Sequence, residues 1–92
     1  MTAALTSEQR VQARSALGLG FAPKVSQRNE ARPQLGAHSY DVWLGMVAAG
    51  LAVECETTAF WTIFRLTRAG ADAALEAGES LDPRHFPPIG AH

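Results

Sequence analysis

Apolar residues along this chain recur first at helical spacing, then without any period, then at helical spacing again, and finally in alternation. Thr6-Ser7-Glu8-Gln9 has the spacing of a capping box, in which Thr6 accepts from the Gln9 backbone N–H and the Gln9 side chain reaches back. Good helix formers run from there to Leu17, with Val11, Ala13, Ala16 and Leu17 as the apolar face, Arg10 and Arg14 opposite, and Gly18 and Gly20 as the stop. Residues 19–38 hold neither period, Pro23, Pro33 and Gly36 break them up, and with Lys24, Arg28 and Arg32 against Glu30 they read as a long basic loop. A second helix follows, with Ser39 as N-cap and Asp41 in the first turn. Its stripe is Tyr40, Trp43, Leu44 and Val47, widened by Met46, and Gly50-Leu51 has the form of a Schellman ending.

Alternation then takes over. Leu51 to Glu56 sets Leu51, Val53 and Cys55 against Ala52, Glu54 and Glu56. Thr57 and Thr58 separate this run from a second, Phe60 to Thr67, so the two predict a β-hairpin. In the second run Phe60, Thr62, Phe64 and Leu66 share the expected core face, and Trp61, Ile63 and Arg65 share the other. Thr67 closes the strand and caps a third helix, Arg68 to Ala77, ended by Gly78. Residues 79–92 contain Pro83, Pro87 and Pro88 and read as an irregular tail, tacked down by Leu81, Phe86 and Ile89.

These elements predict one α+β domain spanning residues 1–92. Three helices pack on a two-stranded antiparallel hairpin sheet, three-stranded if a further segment pairs. Its 92 residues suit one core, and 47% hydrophobic residues are enough to fill it. The balance of 8 Lys+Arg against 9 Asp+Glu, net −1, lacks the basic excess that phosphate binding favours. The single cysteine allows no internal disulfide and fits a reducing compartment. The N-terminus lacks the basic and apolar regions of a signal peptide, and the apolar run Val42 to Val53 is too short to span a bilayer. A soluble, cytoplasmic protein is expected.

The order helix, Gly50-Leu51, hairpin, Leu66-Thr67-Arg68-Ala69-Gly70, helix resembles the closing half of a winged-helix domain. A wider resemblance rests on Ala16-Leu17-Gly18-Leu19, Gln27-Arg28-Asn29, His38-Ser39-Tyr40, Trp43 with Met46-Val47-Ala48-Ala49-Gly50, and Gly78-Glu79-Ser80-Leu81-Asp82-Pro83. With these segments in order, the chain is similar to a group of small bacteriophage and prophage proteins. It departs from them between Arg28 and His38 and in a short wing turn. The resemblance implies phage origin and carries no activity with it.

Chemistry-bearing residues are few. His38, His85 and His92 are scattered and have no ligand spacing with Cys55, so neither a metal nor another cofactor is expected. His38 reads as a helix-start residue without chemistry. Cys55, on an apolar strand position between Glu54 and Glu56, is expected to be buried and structural, because neighbouring carboxylates suppress a thiolate. Glu54 and Glu56 read as a solvated face. No phosphate loop or nucleophile elbow occurs, and no enzymatic activity is expected.

Two partner surfaces are open. Trp61, Ile63 and Arg65 either form an exposed patch of hot-spot residue types or lie under a helix or the tail. Lys24, Arg28 and Arg32, with Arg10 and Arg14 in support, either meet phosphate or an acidic protein or are simply solvated. The expected function is a protein-binding inhibitor or modulator of a host complex, such as a CRISPR–Cas effector or another defence machine, acting as monomer or homodimer. The alternative is a winged-helix DNA-binding regulator, although residues 39–49 hold no Arg, Lys, Asn or Gln to read bases. A third reading is a structural phage component that self-associates through the hairpin edge.

Overall fold

The structure, a computed structural model, describes residues 5–19 and 24–86. Gly20, Pro23, Pro87, Pro88, Ile89 and His92, to which the sequence assigned roles, lie outside these residues. The order is α1 (Ser7–Leu17), α2 (His38–Ala48), β1 (Ala52–Thr57), β2 (Thr62–Leu66) and α3 (Arg68–Ala74), three helices and a two-stranded antiparallel sheet.

The α1 capping box forms as the spacing predicts: Thr6 Oγ1 accepts from the Gln9 N–H at 3.1 Å, and Gln9 Oε1 accepts from the Thr6 N–H at 3.0 Å. Ala13, Ala16 and Leu17 are buried, but Val11 is 66% exposed. Two residues turn a helix through about 200°, which carries Val11 away from Ala13. At the start of α2 the N-cap is Ala37, with no side-chain cap, and Ser39 lies inside the first turn. Trp43 and Met46 are fully buried, whereas Leu44 leaves the expected stripe and is 40% exposed. The Schellman ending is present, since the Leu51 N–H donates to Met46 O at 2.9 Å and the Gly50 N–H to Val47 O at 3.0 Å.

The hairpin pairs Ala52 with Leu66 and Thr57 with Thr62, with a bulge between Glu54 and Glu56 that leaves Cys55 without a partner across the ladder. Thr62, Phe64 and Leu66 are buried as the alternation predicts. The expected inward set on β1 is overturned: Leu51 and Ala52 are buried, and Val53 and Cys55 are exposed. Only the start of β1 lies over the helices, and the bulge breaks the alternation beyond it. Phe60, expected in the core, is 71% exposed because β2 begins at Thr62 and Phe60 falls in the turn.

The stretch expected as a long loop is largely fastened down. Ala31 and Phe64 exchange backbone hydrogen bonds of 3.0 and 2.9 Å, and antiparallel bridges join Ala31 to Phe64 and Gln34 to Trp61. The Asn29 amide completes the row, donating to Leu66 O at 3.1 Å and accepting from the Leu66 N–H at 2.9 Å. Further upstream, Val25 forms a parallel bridge with Ser80, and buried Ser26 accepts from the Asp82 N–H at 2.7 Å. Residues 29–34 therefore run antiparallel beside β2, tied to it at two isolated bridges without forming a strand of the sheet. The pairing rests on main-chain groups and one amide, so no apolar alternation announces it.

Helix α3 starts at the predicted cap, with Thr67 Oγ1 accepting from the Gly70 N–H at 3.2 Å. It ends at Ala74 rather than Ala77, because Leu75 returns to extended backbone with φ −70° and ψ 145°. Arg10 and Arg14, expected to support the basic loop, instead reach the end of this helix. They donate to Ala73 O at 3.1 Å and Ala74 O at 2.9 Å, satisfying carbonyls that helix geometry leaves open. Arg14 also grips both oxygens of Glu79 at 2.6 and 2.7 Å. The core closes where Trp43 stacks on Phe64 at 5.6 Å and Tyr40 meets the same ring edge-on at 5.7 Å.

The tightest approach is between α3 and the α2–β1 corner. A Cβ on Gly70 would lie 1.9 Å from Leu51 O. Gly70→Ala is therefore expected to cost about 3 kcal/mol or more in denaturant unfolding, as overpacking against backbone does. Gly45→Ala, where a Cβ meets only the Gln9 Nε2 at 3.5 Å, is expected to gain up to about 1 kcal/mol through helix propensity. Equal effects of the two would contradict the corner.

The Arg14 guanidinium, with help from the Glu76 backbone N–H, holds the Glu79 carboxyl at about 2, below its ordinary 4.5. The unfolded chain takes up this proton more readily, so the pair's contribution is present above about pH 4.5 and is lost as pH falls toward 2. Asp82, held at about 2 chiefly by Arg84, acts in the same direction. Glu79→Gln is expected to lower stability at neutral pH and to reduce the slope of stability against pH in this acid window. An unchanged slope would remove the Arg14–Glu79 pair from the account.

Candidate interaction surface

The sheet has two unlike faces, because side chains on β2 alternate. The face with Phe64 and Leu66 joins the cluster built with Trp43, Leu17 and Ala71, so the helices lie on that side. The other face carries Trp61 and Ile63, both half-buried, and Arg65, exposed. One antiparallel register joins Ala31–Phe64 and Gln34–Trp61, and it sets Glu30 beside Arg65 and Arg32 beside Ile63. The ion pairs agree: Glu30 lies 2.7 Å from Arg32 Nε and 3.9 Å from Arg65 Nη2. Val53, across from Arg65 on β1, is 45% exposed.

At the tip of the hairpin the Phe60 ring lies 6.2 Å from that of Trp61. Thr58 shapes this turn, its hydroxyl accepting from the Phe60 and Trp61 N–H groups at 3.2 Å each. Leu35 joins through its N–H, which donates to Phe60 O at 3.1 Å, and it is partly exposed. The Trp61 Nε1–H is shielded from water and finds no acceptor among the described residues. A strip thus runs from apolar at the tip (Phe60, Trp61, Leu35) through Ile63 to cationic at Arg65 and Arg32.

The strip's cationic end opens into a concavity of about 460 Å³ lined by Arg28, Asn29, Glu30, Arg65, Arg84 and His85. Arg28 donates to Ser15 O at 2.9 Å, and Arg84 Nη2 and Nε grip one Asp82 oxygen at 2.6 and 3.0 Å. That guanidinium and the Arg84 backbone N–H hold the Asp82 carboxyl at about 2.

Of the residues marked in the sequence, Arg28, Arg32, Trp61, Ile63 and Arg65 come together on this surface. Lys24 does not. Its carbonyl accepts from the Ser80 N–H at 2.8 Å, and the charge it influences is that of Glu79. Arg84, His85 and Phe60 were missed as surface residues. An Asp-Pro step at Asp82-Pro83 favours a turn, and that was the available signal for the first two.

The remaining candidates resolve simply. Cys55, expected buried, is exposed at the bulge. Glu54 and Glu56 are exposed, Glu54 accepting from the Thr57 hydroxyl at 3.2 Å. His38 opens α2 with Nε2 2.5 Å from a Glu8 oxygen. Among the described residues no group of His, Cys, Asp and Glu has a metal-binding arrangement, and no helix is long and apolar enough to cross a membrane. The exposed side of α2 presents His38, Asp41, Leu44, Gly45 and Ala48, with no Lys or Arg, and His38 faces Glu8. Compared with family models, curated proteins and solved structures, the chain matches none.

Phe60 and Phe64 separate surface from core. Phe60→Ala is expected to change stability by less than about 0.5 kcal/mol, and Phe64→Ala to cost about 3–5 kcal/mol in thermal or denaturant unfolding. A large loss for Phe60→Ala would bury the hairpin tip and contradict the strip.

Proposed function

We propose that this is a non-catalytic, phage-type binding protein that inhibits or modulates a host protein complex through the outer face of its sheet. A defence machine such as a CRISPR–Cas effector is the kind of target meant, met in the host cytoplasm. The observation that carries this reading is the row Trp61, Ile63, Arg65 with Arg32 beside it. Trp and Arg are the residue types that most often anchor protein interfaces. Here they share one face with Ile63: Ile63 and Arg65 on β2, and Trp61 and Arg32 beside them along a segment held by backbone bridges. The exposed apolar tip at Phe60 extends the row, and aromatic anchors rimmed by charge are a common interface composition.

The winged-helix-like reading is supported by the Gly50-Leu51 ending, the hairpin and the Thr67 corner. A DNA-binding role draws only on the arginines at the sheet edge. The exposed side of α2, with Asp41, no Lys or Arg, and a His38 already facing Glu8, offers phosphate little positive charge.

The test is capture of partners by the tagged full chain from nuclease-treated bacterial lysate at moderate salt. A stoichiometric protein complex is expected, retained by Leu44→Ser on α2 and reduced at least about tenfold by Trp61→Ala with Arg65→Glu. Capture of nucleic acid alone, or equal loss with Leu44→Ser, would overturn the proposal.

A further inference from the structure

The concavity at the end of the Trp61–Ile63–Arg65 row has its own chemistry. We propose that it receives carboxylate side chains from an acidic segment of a partner protein, whose apolar neighbours lie along Ile63 and Trp61. This rests on the reading of the outer face as a protein-binding surface and names the partner's chemistry.

The charge arrangement leads there. Three guanidiniums, those of Arg28, Arg65 and Arg84, line the cavity together with His85, against two fixed acids nearby, Glu30 and Asp82. Asp82 is engaged by Arg84. Glu30 is shared, with Arg32 at 2.7 Å and Arg65 only at 3.9 Å. Arg28 meets a neutral carbonyl, that of Ser15. Positive charge on Arg28 and Arg65 is therefore under-compensated, and a planar guanidinium presents a fork of donors matched to a carboxylate.

Carboxylate fits better than polyphosphate for two reasons on the same surface. Glu30 and Asp82 sit in or beside the cavity, and like charge there penalises a dense row of phosphates. A nucleic acid also needs a cationic track beyond one cavity. Toward the hairpin tip the surface instead becomes apolar, at Ile63, Trp61 and Phe60. An acidic peptide with apolar flanks meets both ends of the strip. Alternate residues on a strand are spaced by about 7 Å, so one extended segment can span Trp61 to Arg65.

The experiment uses the full chain labelled with nitrogen-15 and titrated with a capped hexaglutamate peptide, then with an oligothymidylate of comparable charge. Two indole N–H resonances report on it. Trp43 donates to Gln12 Oε1 at 3.3 Å in the core, and Trp61 lies on the strip. Hexaglutamate is expected to shift the Arg65 amide and the Trp61 indole saturably, leaving the Trp43 indole in place. Arg65→Gln and Arg28→Glu, each checked for a native spectrum, are expected to weaken binding about tenfold, while Lys24→Glu changes it less than about twofold.

Absence of saturable shifts at Arg65, tighter binding of the oligothymidylate, or equal weakening by Lys24→Glu would each overturn the carboxylate site. If lysate capture still depended on Trp61 and Arg65 in that event, the protein-binding reading would stand and only its acidic partner would fall.

Discussion

Everything distal in this domain hangs on the carbonyl of Leu51. It accepts from the Thr67 N–H at 3.0 Å while the Thr67 hydroxyl donates to Gly50 O at 2.9 Å, and Gly70 has no Cβ to hold α3 away. One residue, Thr67, thus closes β2, caps α3 and ties both to the end of α2. With that corner fixed, β2 can meet the helices on only one face. A one-residue slip in register would exchange its two faces, carrying Phe64 out and Trp61 in. The division between the Trp43–Phe64 core and the Trp61–Arg65 strip follows from this corner.

The arginines divide along the same line. Arg10 and Arg14 on α1 donate to the last carbonyls of α3, and Arg14 also holds Glu79, so both work within the fold. Arg28, Arg32 and Arg65 lie along or beside the sheet edge, where Glu30 can compensate only part of their charge. Near-neutral net charge therefore coexists with a local cationic end, and that end abuts an apolar tip. Such a gradient suits a protein partner better than a phosphate lattice, whose affinity grows with the number of charges contacted.

Local signals in the sequence were strong where one residue does one job. The Thr6 capping box, the Gly50-Leu51 ending, the Thr67 cap and the alternation of Thr62, Phe64 and Leu66 all follow from spacing, and all occur. Readings failed where tertiary context decides. Phe60 looks like a core residue by composition, but the turn takes it out. Cys55 loses its inward position to a bulge that no residue type announces. Residues 29–34 keep the irregular course expected of them, and the main-chain bonds and Asn29 amide that tie them to β2 leave no periodic trace. Of the candidate interaction surface, the Trp61, Ile63 and Arg65 row was legible from alternation. The Arg84 and His85 wall was not, since only the folded chain brings residues 28, 65 and 84 together.

The most direct test of the central claim is hydroxyl-radical footprinting of the protein alone and bound to its captured partner. The account predicts protection of Phe60, Trp61 and Ile63 on the outer face of the sheet, with Leu44 and Val11 oxidised as in the free protein. Protection of Leu44 on α2, with Phe60 and Trp61 still reactive, would move the binding surface to the helix and contradict the account.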